Sequence, residues 1–137
     1  MAPGTPGDQT QSMPCAEPTV LLVDDNDAFR ESLRAHLLDD GRVEVVGEAR
    51  NGEDALERIE QLRPQFVSLD LDMPVMNGFK TAAVIRDHHP DVAVVVVSGS
   101  SASRDRDELA ALRVAAVLSK QRAFAELVET IVALPPA

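Results

Sequence analysis

From Thr19 onward, apolar and polar positions follow two alternating periods. "TVLLVD" (19–24), "VEVVGE" (43–48), "FVSLD" (66–70), "VAVVVVS" (92–98) and "VAAVL" (114–118) are short apolar runs of strand length, mostly rich in valine. Between them, apolar residues recur at helical intervals: Phe29, Leu33 and Leu37; Ala55, Ile59 and Leu62 after an Asn51 cap; then Phe124, Leu127, Val128 and Ile131. Weaker helical patterns occupy roughly 78–88 and 102–112. Strand and helix alternate strictly, and the strands are too apolar to keep one wet face, which predicts a parallel α/β sheet with helices on both sides. Residues 1–18 have no such period and carry Pro3, Pro6, Pro14 and Pro18 with Gly4 and Gly7. They are expected to form a disordered tail, with Met13 as an alternative start, ahead of one domain over 19–134 and a short tail at 135–137.

In an open parallel sheet, ligands bind beyond the carboxyl ends of the strands, so the residue that closes each apolar run matters. The first run closes on Asp24 with Asp25 behind it, the third on Asp70 and the fourth on Ser98, while Ser119 and Lys120 follow the fifth. These carboxylates, a hydroxyl and an ammonium are expected on one rim. Pro74 would turn the chain away after Asp70, and Gly78 would open the next helix. Two carboxylates about 4 Å apart repel by roughly 4 kcal/mol at an effective dielectric of about 20, so the rim needs a counter-charge. A hard divalent cation answers that need. Mg²⁺ keeps several waters and takes few carboxylates plus a phosphate, which suits an open rim better than a closed Ca²⁺ cage. Lys120 and the Ser98 hydroxyl would then face the anion that the metal attracts.

Composition removes several other classes. The chain has 137 residues, 45% of them apolar, enough for a single core, and only 3% aromatic, which leaves no platform for stacking bases. A formal charge of −10 repels a phosphate backbone, so direct nucleic-acid binding by this chain is not expected. No run reaches membrane-span length and no signal peptide opens the chain, which points to the cytoplasm and to no membrane partner. Cys15 is the single cysteine and can form no internal disulfide.

The segments "VLLVDDND", "SLDLDMPVMNGF", "VVVVSGS" and "VLSK", in that order over residues 19–133, resemble the signature segments of the receiver domains of bacterial two-component response regulators. The resemblance implies a flavodoxin-like (βα)5 doubly wound sheet in strand order 2-1-3-4-5. By the same likeness Asp70 is the phospho-acceptor, Asp25 a direct Mg²⁺ ligand, Asp24 an acid that helps hold the metal and its water, and Asp72 a ligand through its carbonyl. Ser98 and Lys120 would contact the phosphoryl oxygens. The implied donor is a sensor histidine kinase or a histidine phosphotransfer protein. The implied output is a shift of the α4-β5-α5 surface toward a downstream partner, with a phosphorylation-dependent homodimer as one form. Such a domain catalyses its own phosphorylation and dephosphorylation rather than turning over a separate substrate.

Some positions depart from the family pattern. Val117 stands where an aromatic switch residue is usual, Arg113-Val114 replaces Gly-Ala before the fifth strand, and Gln121 and Phe124 are unusual after the lysine. "DNDAFRESL" and "VEVVGEARNGEDAL" look most like receivers joined to a helix-turn-helix output domain, and the chain ends at "PPA", which leaves a single-domain regulator or a piece cut at a linker.

Plainer readings remain open residue by residue. Asp24 and Asp25 can be helix caps, although Asn26 and Asp27 already serve there. Asp72 can be a solvated loop acid, Ser98 a satisfied strand-end hydroxyl, and Lys120 a surface residue with a buried stem. His88 and His89 suit a helix end before Pro90, and His36 a helix flank. Two further functions stay in play. One is a haloacid-dehalogenase-like phosphatase, because Asp70-Leu71-Asp72 also resembles that nucleophile motif, though its metal acids follow the nucleophile. The other is a pseudo-receiver that binds a partner without phosphorylation.

Overall fold

The computed structural model describes residues 17–71, 73, 76–99 and 106–134, the last segment with side chains from Leu109 onward. Strands β1 (Thr19–Val23), β2 (Glu44–Ala49), β3 (Phe66–Leu69), β4 (Ala93–Ser98) and β5 (Ala116–Ser119) alternate with helices α1 (Asp27–Asp40), α2 (Gly52–Leu62), α3 (Gly78–His88), α4 (Arg106–Ala111) and α5 (Lys120–Ala133). Every pairing is parallel and the order across the sheet is β2-β1-β3-β4-β5, as expected. The expected strand limits hold to within two residues at each end. Ser119 is the exception in kind: expected after the fifth strand, it is that strand's last residue and also caps α5 by accepting from the Arg122 amide.

Alternation along each strand sorts the side chains into two layers. Leu21, Val23, Val67, Leu69, Val94 and Val96 pack with Ala55 and Ile59 of α2, Ala82 and Ile85 of α3 and Leu109 of α4. Their neighbours Val20, Leu22, Phe66, Val95 and Val97 face the other way, onto Leu33 and Leu37 of α1 and Ala123, Leu127, Val128 and Ile131 of α5. The expectation that all strands are buried on both faces holds for β1, β3 and β4 only. β2 and β5 lie at the sheet edges and are largely half-exposed, because each has a neighbour on one side alone. Leu62 is partly exposed at the last turn of α2, over Gly47 of the edge strand β2.

Asparagines start the helices that follow the first three strands. Asn26, Asn51 and Asn77 are extended N-caps whose side chains accept from Phe29, Asp54 and Lys80 amides at 3.0, 2.8 and 3.0 Å. Backbone bonds also run past the strand ends: the Asp24 amide donates to the Ala49 carbonyl and the Asp70 amide to the Val23 carbonyl. At the opposite end of the sheet the Glu44 amide donates to the carbonyl of Pro18, a residue the sequence reading put in the N-terminal tail. Residues 1–16 and 135–137 lie outside the described residues, as do Asp72 and Pro74.

Gly78 is required by close approach. A Cβ there would lie 2.4 Å from the Asp70 carbonyl oxygen and 2.6 Å from the Leu71 Cα, both backbone atoms that cannot swing aside. Gly41 is different: its φ of +81° closes α1 in the left-handed region, and a Cβ would meet nothing within 4 Å. Gly78→Ala is therefore expected to cost about 3 kcal/mol or more by overpacking. Gly41→Ala should cost about 1 kcal/mol through its dihedral alone. Urea titration of both variants checks the order, and equal losses would contradict the steric account of Gly78.

Candidate functional site

The carboxyl ends of β1 and β3 are adjacent in the sheet, so Asp24 and Asp70 emerge side by side. Both are nearly buried, at 5% and 2% exposure, whereas Asp25 faces solvent. One carboxylate oxygen from each of Asp24, Asp25 and Asp70 lies within 4.8 Å of the other two. Hard oxygen donors at that separation could hold a metal ion.

The local counter-charge is Lys120. As the first residue of α5, it extends its ammonium across the rim, with Nζ 3.0 Å from Asp24 Oδ2 and 3.6 Å from Asp70 Oδ2. The Phe29 ring of α1 lies beneath that ammonium at 4.8 Å, and Phe29 meets Phe124 of α5 edge to face at 5.5 Å. Partial burial alone would push the lysine pKa down. The hydrogen bond to Asp24 and the charges of Asp70, Asp24 and Asp25 outweigh that burial and hold it above the ordinary lysine value.

Ser98, fully buried at the end of β4, donates from Oγ to Asp70 Oδ1 at 3.5 Å, a long bond. Beside it lies a cavity of about 260 Å³ lined by Ser98, Gly99, Ser119, Lys120 and Gln121. On the other flank an open cleft of about 440 Å³ is lined by Asp25, Arg50, Asn51 and Asp54. Open space thus lies beside Ser98 and Lys120 on one flank and beside Asp25 on the other. Asp24 is further held by the Asn26 amide, which donates to its Oδ1 at 2.8 Å.

Asp24, Asp25, Asp70, Ser98 and Lys120, named from the sequence, thus meet at one end of the sheet. The expected Asp72 carbonyl cannot be added, since that residue lies outside the described ones. Val117 projects from β5 with 42% exposure. His36 meets the Phe124 ring edge to face with centroids 5.6 Å apart, and His88 and His89 end α3. Sequence reasoning missed Phe29 as the ring under the ammonium and Arg30 as a partner of the β1–α1 turn. The only local sign of Arg30 was its i,i+3 spacing from Asp27.

Among the described residues no helix is long and apolar enough to cross a membrane. A protein-glutamate methylesterase/protein-glutamine glutaminase of Geobacillus kaustophilus is 45% identical over 98 residues, which make up 72% of this chain and 28% of that protein. This chain therefore spans less than a third of that curated relative. The response regulator domain of Thermotoga maritima CheB superposes with a TM-score of 0.80 over 88% of this chain and 100% of that one, a likeness of fold at 24% identity. A DNA-binding response regulator of the LuxR family from Staphylococcus aureus is 29% identical, with a TM-score of 0.78 over 85% of this chain and 97% of that one. Residues 20–132 match the family described as response regulator receiver domain, and the chain belongs to that family.

Proposed function

We propose that Asp70 accepts a phosphoryl group from a phosphohistidine of a sensor histidine kinase or histidine phosphotransfer protein. The observation that carries this reading is the Asp70 carboxylate, nearly buried between the Ser98 hydroxyl and the Lys120 ammonium and next to the Asp24 and Asp25 carboxylates. Family membership favours it over the haloacid-dehalogenase alternative.

The donor set suits Mg²⁺, which Asp24, Asp25 and Asp70 would hold and which would supply charge neutralisation for the incoming phosphoryl oxygens. The chain's own groups do the rest. Asp70 supplies the attacking oxygen, so that a P–O bond forms as the P–N bond to the donor imidazole breaks and the leaving nitrogen takes up a proton. Lys120 remains protonated and faces the transferred oxygens, while Ser98 can turn its hydroxyl from Asp70 to one of them. The loose transition state of phosphoryl transfer asks for alignment and charge balance more than covalent work from the protein. Hydrolysis of the acyl phosphate resets the domain.

Phosphorylation adds negative charge and acceptor oxygens to a rim that is already acidic. We take the output to be a population shift of the α4-β5-α5 surface toward a downstream protein partner or an attached output domain. Val117 on that surface has no ring to swing inward, so the Ser98 side of the site and the end of β5 would carry the change without an aromatic relay.

Incubation with acetyl phosphate and Mg²⁺ followed by intact mass measurement tests the acceptor. One added phosphate on the wild type and none on Asp70→Asn is the expected outcome. Uptake by both proteins would reject Asp70, and uptake by neither would favour the pseudo-receiver.

The counter-ion role of Lys120 has its own test in the pH dependence of stability. The native lysine holds its proton more tightly than the unfolded one, so its contribution is complete below the unfolded pKa of about 10.4 and is lost as pH rises through the higher native value. Lys120→Met is expected to lower stability by about 1–2 kcal/mol near neutrality. The gap to wild type should narrow only above about pH 10. A gap that already closes between pH 7 and 9 in urea titrations would show that Lys120 is not the group responsible.

A further inference from the structure

Arg30 lies in the first turn of α1, and its side chain is only 11% exposed. Its guanidinium divides three ways: Nη1 donates to the Asp24 carbonyl at 2.7 Å, Nε to Glu48 Oε1 at 2.7 Å and Nη2 to Asp27 Oδ1 at 2.7 Å. Glu48 lies near the carboxyl end of β2 and also pairs through Oε2 with Arg34 at 3.3 Å. The next residue, Ala49, accepts the Asp24 amide at 3.1 Å. Asp24 is thus gripped at both backbone groups by the end of β2, at its N–H directly and at its carbonyl through Arg30.

The carbonyl of Asp24 and the amide of Asp25 belong to one rigid peptide plane. Holding that carbonyl sets ψ of Asp24 and φ of Asp25, and so the direction in which both carboxylates leave the backbone. Asp25 is exposed and stands where the chain leaves β1, so this plane orients it more than packing does. A planar fork with several donors can satisfy a backbone carbonyl and two carboxylates together, which an ammonium cannot do with the same geometry.

We propose that Arg30 is a positioning residue for the metal-holding acids, acting by orienting the Asp24–Asp25 peptide against the end of β2. The proposal rests on the reading of Asp24 and Asp25 as metal-holding groups. Groups that orient metal ligands from behind commonly change metal affinity by about ten- to a hundredfold when removed.

The test combines Mg²⁺ titration calorimetry on the full chain with the amide NMR shifts of Asp24, Asp25 and Asn26 in the metal-free protein. Arg30→Met keeps the aliphatic stem and is expected to weaken Mg²⁺ binding about tenfold and to move the Asp25 amide. Arg30→Lys, which keeps the charge without the fork, should recover part of the affinity. Arg34→Ala, which removes the other partner of Glu48, should leave both readouts at wild-type values. Wild-type binding by Arg30→Met, or an equal loss in Arg34→Ala, would overturn the proposal. Should Arg30→Met fail to fold, Glu48→Gln loosens the same fork with Arg30 in place, and unchanged affinity and shifts in that variant would overturn it too. A wild type that binds no Mg²⁺ would reject the metal reading of the acids, while the amide shifts would still decide whether Arg30 orients the peptide.

Discussion

Two nearly buried carboxylates at the end of a hydrophobic sheet are the constraint around which the rest is arranged. Buried carboxylates in that position need partners, since removing a charge from water costs several kcal/mol even after relaxation. Two partners come from far along the chain, the Lys120 ammonium from α5 and the Ser98 hydroxyl from β4, and one is local, the Asn26 amide at the start of α1. The parallel order places β1 beside β3, and β3 beside β4, and so delivers these groups to one rim. With Asp25 beside them, these acids form a group of oxygen donors that could hold a metal ion.

Backbone tolerances near the acids are as tight as the electrostatics. α3 comes so close to the chain after β3 that Gly78 has the Asp70 carbonyl where a side chain would begin. The Gly78 amide in turn donates to the Leu71 carbonyl at 3.0 Å, which ties the first residue of α3 to the chain just past Asp70. Packing of that helix and placement of the carboxylate are therefore one problem. A change that shifts α3 shifts the Asp70 backbone with it.

Much of this was legible in the sequence because it is carried by short-range patterns. Apolar runs marked the strands, and the residues closing them marked the rim, since a parallel sheet sends all its carboxyl ends the same way. Asn51 was readable as a cap from its place before an amphipathic stretch. The exposure of β2 and β5 was not readable, because a valine-rich run looks the same at the edge of a sheet as at its centre. Arg30 escaped for a related reason: one partner lies 18 residues away on β2 and another is a backbone carbonyl, which no side-chain pattern reports. Its spacing from Asp27 alone suggests an ordinary surface pair. The placement of Phe29 under Lys120 likewise depends on α1 and α5 sharing one face of the sheet, a tertiary fact.

Lys120 is at once the ammonium that bridges Asp24 and Asp70 and the residue with which α5 begins. A helix anchored through its own counter-ion cannot change its seating without disturbing the charge balance, and a new charge at the acids would act first on that helix's leading turn. The Phe29–Phe124 contact sits one turn further along, where such a pull would meet α1. The first turn of the last helix thus ties the carboxylates to α1 through Lys120, Phe29 and Phe124.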